Sequence, residues 1–293
     1  MQQTEIILFW MTVFVYVVAF CVHVFGFVRG STRTGTAVMR LLWAGMILHT
    51  ATALVRWAAA GHAPVTDTYE LNLTGTWFTV LIFLVFERLK KIDQSIALVV
   101  TPVVFLVLGH GVMSRSAPIP MGPAYQSPWL VVHVIFAWLS FGCFAISFGA
   151  AVLFLVKEKF PDWQPITKVP DIKGLDLTGY RFIVLGFINH AVMLVSGAIW
   201  AKKLWGHYWS WDVLEIWSLI TFLFYAFYLH ARSFLGWKMK RAARLTMLGF
   251  VVLAISFWGV QWFSPTARPG HEWSEGGAAK VIQVEPPKTV TEK

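Results

Sequence analysis

Trp205-Gly206-His207-Tyr208-Trp209-Ser210-Trp211-Asp212 places three tryptophans, a tyrosine, a histidine and a carboxylate in eight residues. Apolar runs flank it, Phe182–Trp200 before and Val213–Ser233 after. Such flanks are long enough to cross a bilayer, which takes about 20 apolar residues per helix. The segment therefore reads as a short loop at the end of two spans. Trp and Tyr gather at bilayer interfaces in any membrane protein. Three tryptophans at this density also suit the flat face of a large planar ligand.

Working outward, six more runs of this kind appear. The eight expected spans are Ile6–Val28, Val38–Ala59, Leu73–Phe86, Ile96–Met113, Trp129–Val156, Phe182–Trp200, Val213–Ser233 and Met247–Phe263. The third is short, with a start near Tyr69 as the alternative, and the fifth is long enough to tilt. Of the 293 residues, 57% are hydrophobic and 13% charged, and mean hydropathy is +0.63. This predicts an all-α, polytopic membrane protein. Residues 1–263 form the membrane domain, with the aromatic segment 202–212 external to it. Residues 264–293, rich in Gly, Pro, Glu and Lys, read as an external and mostly flexible tail.

The net charge of +9 is distributed unevenly. Arg29, Arg33, Arg40, Arg88, Lys90 and Lys91 fall on one side, with Lys157, Lys159, Lys168, Lys173, Arg181, Arg232, Lys238, Lys240, Arg241 and Arg244. The other side has Arg56, Arg115, Lys202, Lys203 and a few in the tail. The basic side is expected to be cytoplasmic. Both termini and the aromatic segment then face outward. No basic, aromatic-interleaved soluble domain is present, so no nucleic acid is expected. The first five residues lack Lys and Arg, so no cleavable signal peptide is expected. Cys21 and Cys143 lie apart inside apolar runs, which fits neither a thioredoxin-like motif nor a zinc site. No phosphate loop and no Ser/His/Asp arrangement is present.

Nine histidines remain. His133, near the outer end of the fifth span, and His271, beyond the last span, share a side with the aromatic segment. Two imidazoles there can clamp a metal macrocycle against the tryptophans. Each also has an ordinary reading, as an interfacial and a tail residue. His207 sits within the segment itself. His230 lies at the cytoplasmic end of the seventh span, where an ionisable group is a functional candidate by default. His49 and His190 are mid-span and read as core histidines bonded to neighbouring helices or, facing each other, as a bis-His pair. Asp212 is placed to N-cap the seventh span, with Glu215 three residues on completing a capping box.

An ordered series of short motifs runs through the chain. It comprises Leu48-His49-Thr50, Arg56-Trp57, Gly61-His62-Ala63-Pro64-Val65, Tyr69-Glu70, Gln126-Ser127-Pro128-Trp129-Leu130 with His133, Ser196-Gly197-Ala198-Ile199-Trp200, the aromatic segment, Trp217-Ser218-Leu219-Ile220 and Tyr228-Leu229-His230. In this order they resemble the CcsA/ResC family of cytochrome c biogenesis proteins, within a superfamily that handles haem at a tryptophan-rich external motif. The resemblance implies that His133 and a histidine after the last span, here His271, bind haem b iron axially. Trp205, Trp209, Trp211 and Asp212 would lie along the haem, with His207 as a further candidate. His230 would serve a second, intramembrane position. No catalytic residue is assigned beyond haem positioning. The implied activity is export and presentation of haem for covalent attachment to Cys-x-x-Cys-His apocytochromes c. It would be part of a cytochrome c haem lyase that includes a ResB/CcsB-like membrane protein and a thiol-reducing thioredoxin-like protein. The implied membrane is bacterial cytoplasmic or thylakoid-type. The chain departs from the family pattern at Val213-Leu214-Glu215-Ile216, where Pro-Lys-Glu-Thr is usual, and at Leu71-Asn72. It departs again around His271. A haem-binding or regulatory paralogue without synthase activity is one alternative, and a haem b electron-transfer subunit is another.

Overall fold

A computed structural model describes residues 2–259 apart from 32, 116, 119, 120, 123 and 124. Among these residues the fold is all-helical. The long helices are α1 (Gln2–Val28), α2 (Arg33–Ala60), α3 (Thr68–Arg88), α4 (Ala97–Met113), α5 (Pro128–Lys159), α7 (Ile172–Trp205), α8 (Val213–Ser233) and α9 (Lys240–Ala254). A single-turn α6 (Gln164–Thr167) lies between α5 and α7, and α9 runs into a π-helical turn, Ile255–Gly259. Eight of these helical segments are long and apolar enough to cross a membrane, the last being α9 with its π turn. The protein is a multi-pass membrane protein. In hydrocarbon every backbone N–H and C=O must be satisfied within its own segment, so apolar runs of this length fold as helices.

Several helices exceed their apolar cores. The third span starts at Thr68 because Asp67 caps it, its carboxylate accepting from Glu70 N at 2.7 Å. α7 starts ten residues before the expected Phe182, where Asp171 accepts from Gly174 N at 3.1 Å. The segment 157–180, which lies between the expected fifth and sixth spans, is therefore largely helical. Likewise α9 begins at Lys240 instead of Met247.

The spans alternate in direction, so the connections fall into two groups. One end of the bundle carries the aromatic segment and the α2–α3 and α4–α5 connections; we call it the aromatic end. The basic end carries the others. α1 starts and α9 finishes at the aromatic end. α5 is the most enclosed span and α8 the least. α5 packs along α7 more extensively than any other pair of helices. It also contributes to both cores. Toward the basic end its Ile146, Ala150 and Phe154 join α1–α4, while its Leu130, Val134, Trp138 and Phe144 belong to a second cluster with Tyr225 of α8 and Phe250 and Leu253 of α9. Phe144 stacks on Tyr225 of α8 with centroids 3.7 Å apart. At the basic end Arg232 of α8 makes a two-pronged pair with Asp176 of α7, at 2.8 and 2.6 Å.

Candidate functional site

The aromatic segment is built by two helix ends. Gly206 terminates α7 with φ +81°, a left-handed conformation that a residue without Cβ adopts freely, and its N–H donates to Lys202 O at 3.1 Å. The Lys202 ammonium folds back onto Gly206 O and sits over the Tyr208 ring. Asp212 caps α8 as expected, its Oδ1 accepting from Glu215 N at 2.9 Å. Glu215 reaches one and two residues past the usual capping box: its Oε2 accepts from Trp211 N at 2.8 Å and Ser210 N at 2.7 Å. Those two bonds hold Trp211 at φ +61°, a strained conformation for a side chain of its size.

Behind the segment lies a cavity of about 580 Å³. Val65, Thr66, Thr68 and Asn72 form the wall from the start of α3, and Leu130, His133 and Trp138 the wall from α5. α7 supplies His190, Met193, Gly197 and Trp200, while Trp205, Tyr208, Trp209, Trp211, Asp212 and Leu214 close the aromatic side. Phe257 and Trp258 of the π turn complete it. At the rim, burial pushes the Tyr125 phenol above its ordinary pKa, so it remains a protonated donor.

His133 is presented in one defined way. Its Nδ1 lies 2.9 Å from Met193 O. A carbonyl oxygen only accepts, so Nδ1 carries the proton and, in the neutral ring, Nε2 keeps a lone pair. Nε2 has no hydrogen bond to any described residue. This is the second-sphere arrangement that orients metal-binding imidazoles. Gly197 makes the approach possible: a Cβ there would sit 2.7 Å from His133 Nδ1 and 3.0 Å from Cε1.

The other histidines separate clearly. His190 lines the cavity floor, but its Nε2 bonds Ser218 O at 3.1 Å and its Nδ1 lies 3.3 Å from Ser140 Oγ. His49 lies 2.9 Å from Leu73 O and 3.3 Å from the Tyr16 hydroxyl. The two rings occupy different parts of the bundle and each is tied to its own neighbours, so they do not form the bis-His pair an electron-transfer subunit would need. His207 is exposed and is not part of the cavity wall. His230 is exposed at the far end of α8, its ring 4.8 Å from that of Phe234. It stands 18 residues from Asp212, about 27 Å along the helix. His271 lies outside the described residues.

Sequence reasoning missed three parts of this site. Asn72 accepts from Trp258 Nε1 at 3.1 Å through Oδ1, while its Nδ2 donates to Thr68 O at 2.6 Å and lies 3.3 Å from His110 Nδ1. It thereby fastens the π turn to α3. An amide so near the start of an apolar span was the available signal. The Trp209 indole nitrogen is buried and has no hydrogen-bond partner among the described residues. Third, no Lys or Arg is among the described lining residues, where Asp212 and Glu215 carry the charge.

The sequence model for "Cytochrome C assembly protein" matches residues 65–267, which takes in every cavity wall. The chain is 33% identical to the cytochrome c biogenesis protein CcsA of Trieres chinensis over 240 residues, covering 70% of this chain and 77% of that protein. It is also 33% identical to the CcsA of Prochlorococcus marinus strain NATL2A over 267 residues, covering 80% and 84%. Among solved structures, one titled Cytochrome c Heme Lyase CcmF superposes with a TM-score of 0.64 at 15% identity. That likeness covers 90% of this chain and half of the other, and speaks to the fold alone. The chain therefore belongs to the cytochrome c assembly family, among the CcsA-type cytochrome c biogenesis proteins, and its role is in cytochrome c maturation.

Proposed function

We propose that the cavity at the aromatic end holds haem b for covalent attachment to apocytochrome c on the outer face of the membrane. The observation that carries this is His133: a half-buried imidazole that lines an aromatic-walled cavity of about 580 Å³, fixed through Nδ1 and with no hydrogen bond from Nε2 to any described residue. That volume lies in the ordinary range for sites of sizeable ligands. The residues fit the group in two further respects. The tryptophans and Tyr208 offer flat apolar contact, worth about 0.5–1.5 kcal/mol per aromatic pair beyond area burial. The Trp209 N–H, buried without a partner among the described residues, is a donor available to a polar edge.

Haem supplies the iron and the vinyl groups that accept thiols. This chain's part is to bind and orient. His133 Nε2 would hold the iron, with His271 as a second ligand. Trp205, Trp209 and Trp211 hold the macrocycle face, and Asp212 with Glu215 fixes the segment that carries them. Trp138, Phe257 and Trp258 exclude water from the inner side. His230 serves a second intramembrane position nearer the basic end, which faces the cytoplasm. The thiols come from the acceptor's Cys-x-x-Cys-His segment, kept reduced by a thioredoxin-like protein, and a ResB/CcsB-like membrane protein completes the lyase.

One observation favours a second reading, a haem binder without synthase activity. Val213 and Leu214 line the cavity where the family pattern has Pro-Lys, and among the described residues no other lining residue restores a cation. Coexpression with a ResB/CcsB-like protein and a reporter apocytochrome separates the two. The lyase reading predicts covalent haem on the reporter, seen as haem-stained polypeptide after denaturation. Haem on this protein with none on the reporter would establish the binder instead.

A further inference from the structure

Two helix starts face each other across the cavity, and both are built on Asp-x-x-Glu. Asp67 and Glu70 open α3; Asp212 and Glu215 open α8. In each, the aspartate caps the helix and the glutamate reaches back to a backbone N–H before it. Glu70 Oε2 accepts from Thr66 N at 3.0 Å, as Glu215 Oε2 does from Ser210 N and Trp211 N. They differ in what lies behind them. Asp212 is exposed and Glu215 half-buried, and neither has a Lys or Arg within ion-pair distance among the described residues. Behind Asp67 and Glu70 stands Arg56 of α2, with no exposed side-chain surface. Its Nε donates to Glu70 Oε1 and its Nη2 to Asp67 Oδ2, each at 2.8 Å. Glu5 of α1, equally buried, lies 3.9 Å from Nη1, and Arg115 approaches Glu5 at 3.4 Å.

We propose that Arg56 is a positioning residue for the haem cavity: it locks the 65–70 turn as a fixed wall against which the aromatic segment holds its ligand. This rests on the cavity being the haem site. A guanidinium is the side chain that can serve two carboxylates at once from a planar fork. A buried charge of this kind is also costly unless every partner stays in place. The turn therefore has one arrangement open to it. Val65, Thr66 and Thr68 inherit that rigidity, because they lie between the two carboxylates or just before them.

The test uses a matched control. Among the described residues Arg232 is the other buried arginine with a short carboxylate pair, at the opposite end of the bundle. Arg56→Gln and Arg232→Gln thus remove similar interactions, but only one lies beside the cavity. Spin labels at Ala63→Cys and His207→Cys, in full-length protein with Cys21→Ser, report the distance across the cavity mouth by pulsed EPR. Haem loss from the same samples is followed by absorbance. The expected result is a narrow distance distribution in the parent and in Arg232→Gln, and a broad one in Arg56→Gln with haem lost about tenfold faster. Arg56→Lys, which keeps the charge but lacks the planar fork, is also expected to be broad. If Arg56→Gln does not insert, Glu70→Gln gives the same comparison while keeping the Asp67 pair. An unchanged distribution in the Arg56 variant overturns the clasp. Equal haem loss in both arginine variants, or broadening without haem loss, overturns its role in positioning. Failure of the haem reading shows separately, as a parent protein without haem.

Discussion

Gly197 bears on haem binding without being able to touch a ligand through a side chain. Alanine is the better helix former by about 1 kcal/mol. Here its methyl would meet the His133 ring at 2.7 Å, so the ring must turn away from Met193 O. Gly197→Ala is predicted to keep the protein folded and to weaken haem binding about 10- to 100-fold, the usual cost of losing a ligand's orienting partner; haem titration measures it. His49 gives the contrasting case. His49→Ala removes bonds to Leu73 O and Tyr16, and costs about 1–3 kcal/mol of stability by leaving them unpaired. Haem content at the cavity should not change, and its loss would return His49 to the list of ligands. From sequence alone His49, His133 and His190 are the same residue type in apolar runs. What separates them is which nitrogen meets a carbonyl, and that depends on partners 24 to 60 residues away. The buried Arg56 was equally illegible, since its carboxylates come from α1, the α2–α3 connection and α3.

At the scale of elements, α8 is the least enclosed span, so its start depends on local chemistry more than on packing. Asp212→Ala removes the cap on Glu215 N, a loss of about 1 kcal/mol. Glu215→Gln weakens the two bonds that hold Trp211 at positive φ. Both are predicted to raise amide hydrogen exchange across residues 206–216 while exchange in α5 stays constant. Equal protection in parent and variants would show that packing, rather than capping, shapes the segment. The cap itself was legible because Asp followed by Glu three residues later is a local signal. The start of α7 was not. Ile172–Arg181 mixes Lys, Asp and Gly with apolar residues, and a window tuned to bilayer crossing registers only the part inside the hydrocarbon. The helix continues past it because Asp171 caps it and Leu175 packs into the core.

Across the whole molecule, the cavity exists because α3, α5, α7, α8 and the π turn after α9 converge at one end of the bundle. The number of spans and the shared side of His133 and the aromatic segment followed from hydropathy and chain direction. That the tryptophans line a cavity rather than spread along an interface followed from neither. It depends on Trp258 reaching Asn72 across 186 residues, and on α5 lying close along α7. Asn72→Leu is accordingly predicted to free the π turn, leaving helix content intact by circular dichroism while haem retention falls. The central claim is that His133 holds the iron and His207, in the same aromatic neighbourhood, does not. The most direct measurement is haem content of purified wild type, His133→Ala and His207→Ala, by visible absorption and the pyridine haemochrome. The prediction is b-type haem in wild type and His207→Ala, with little or none in His133→Ala. Equal haem in all three, or loss confined to His207→Ala, would contradict it.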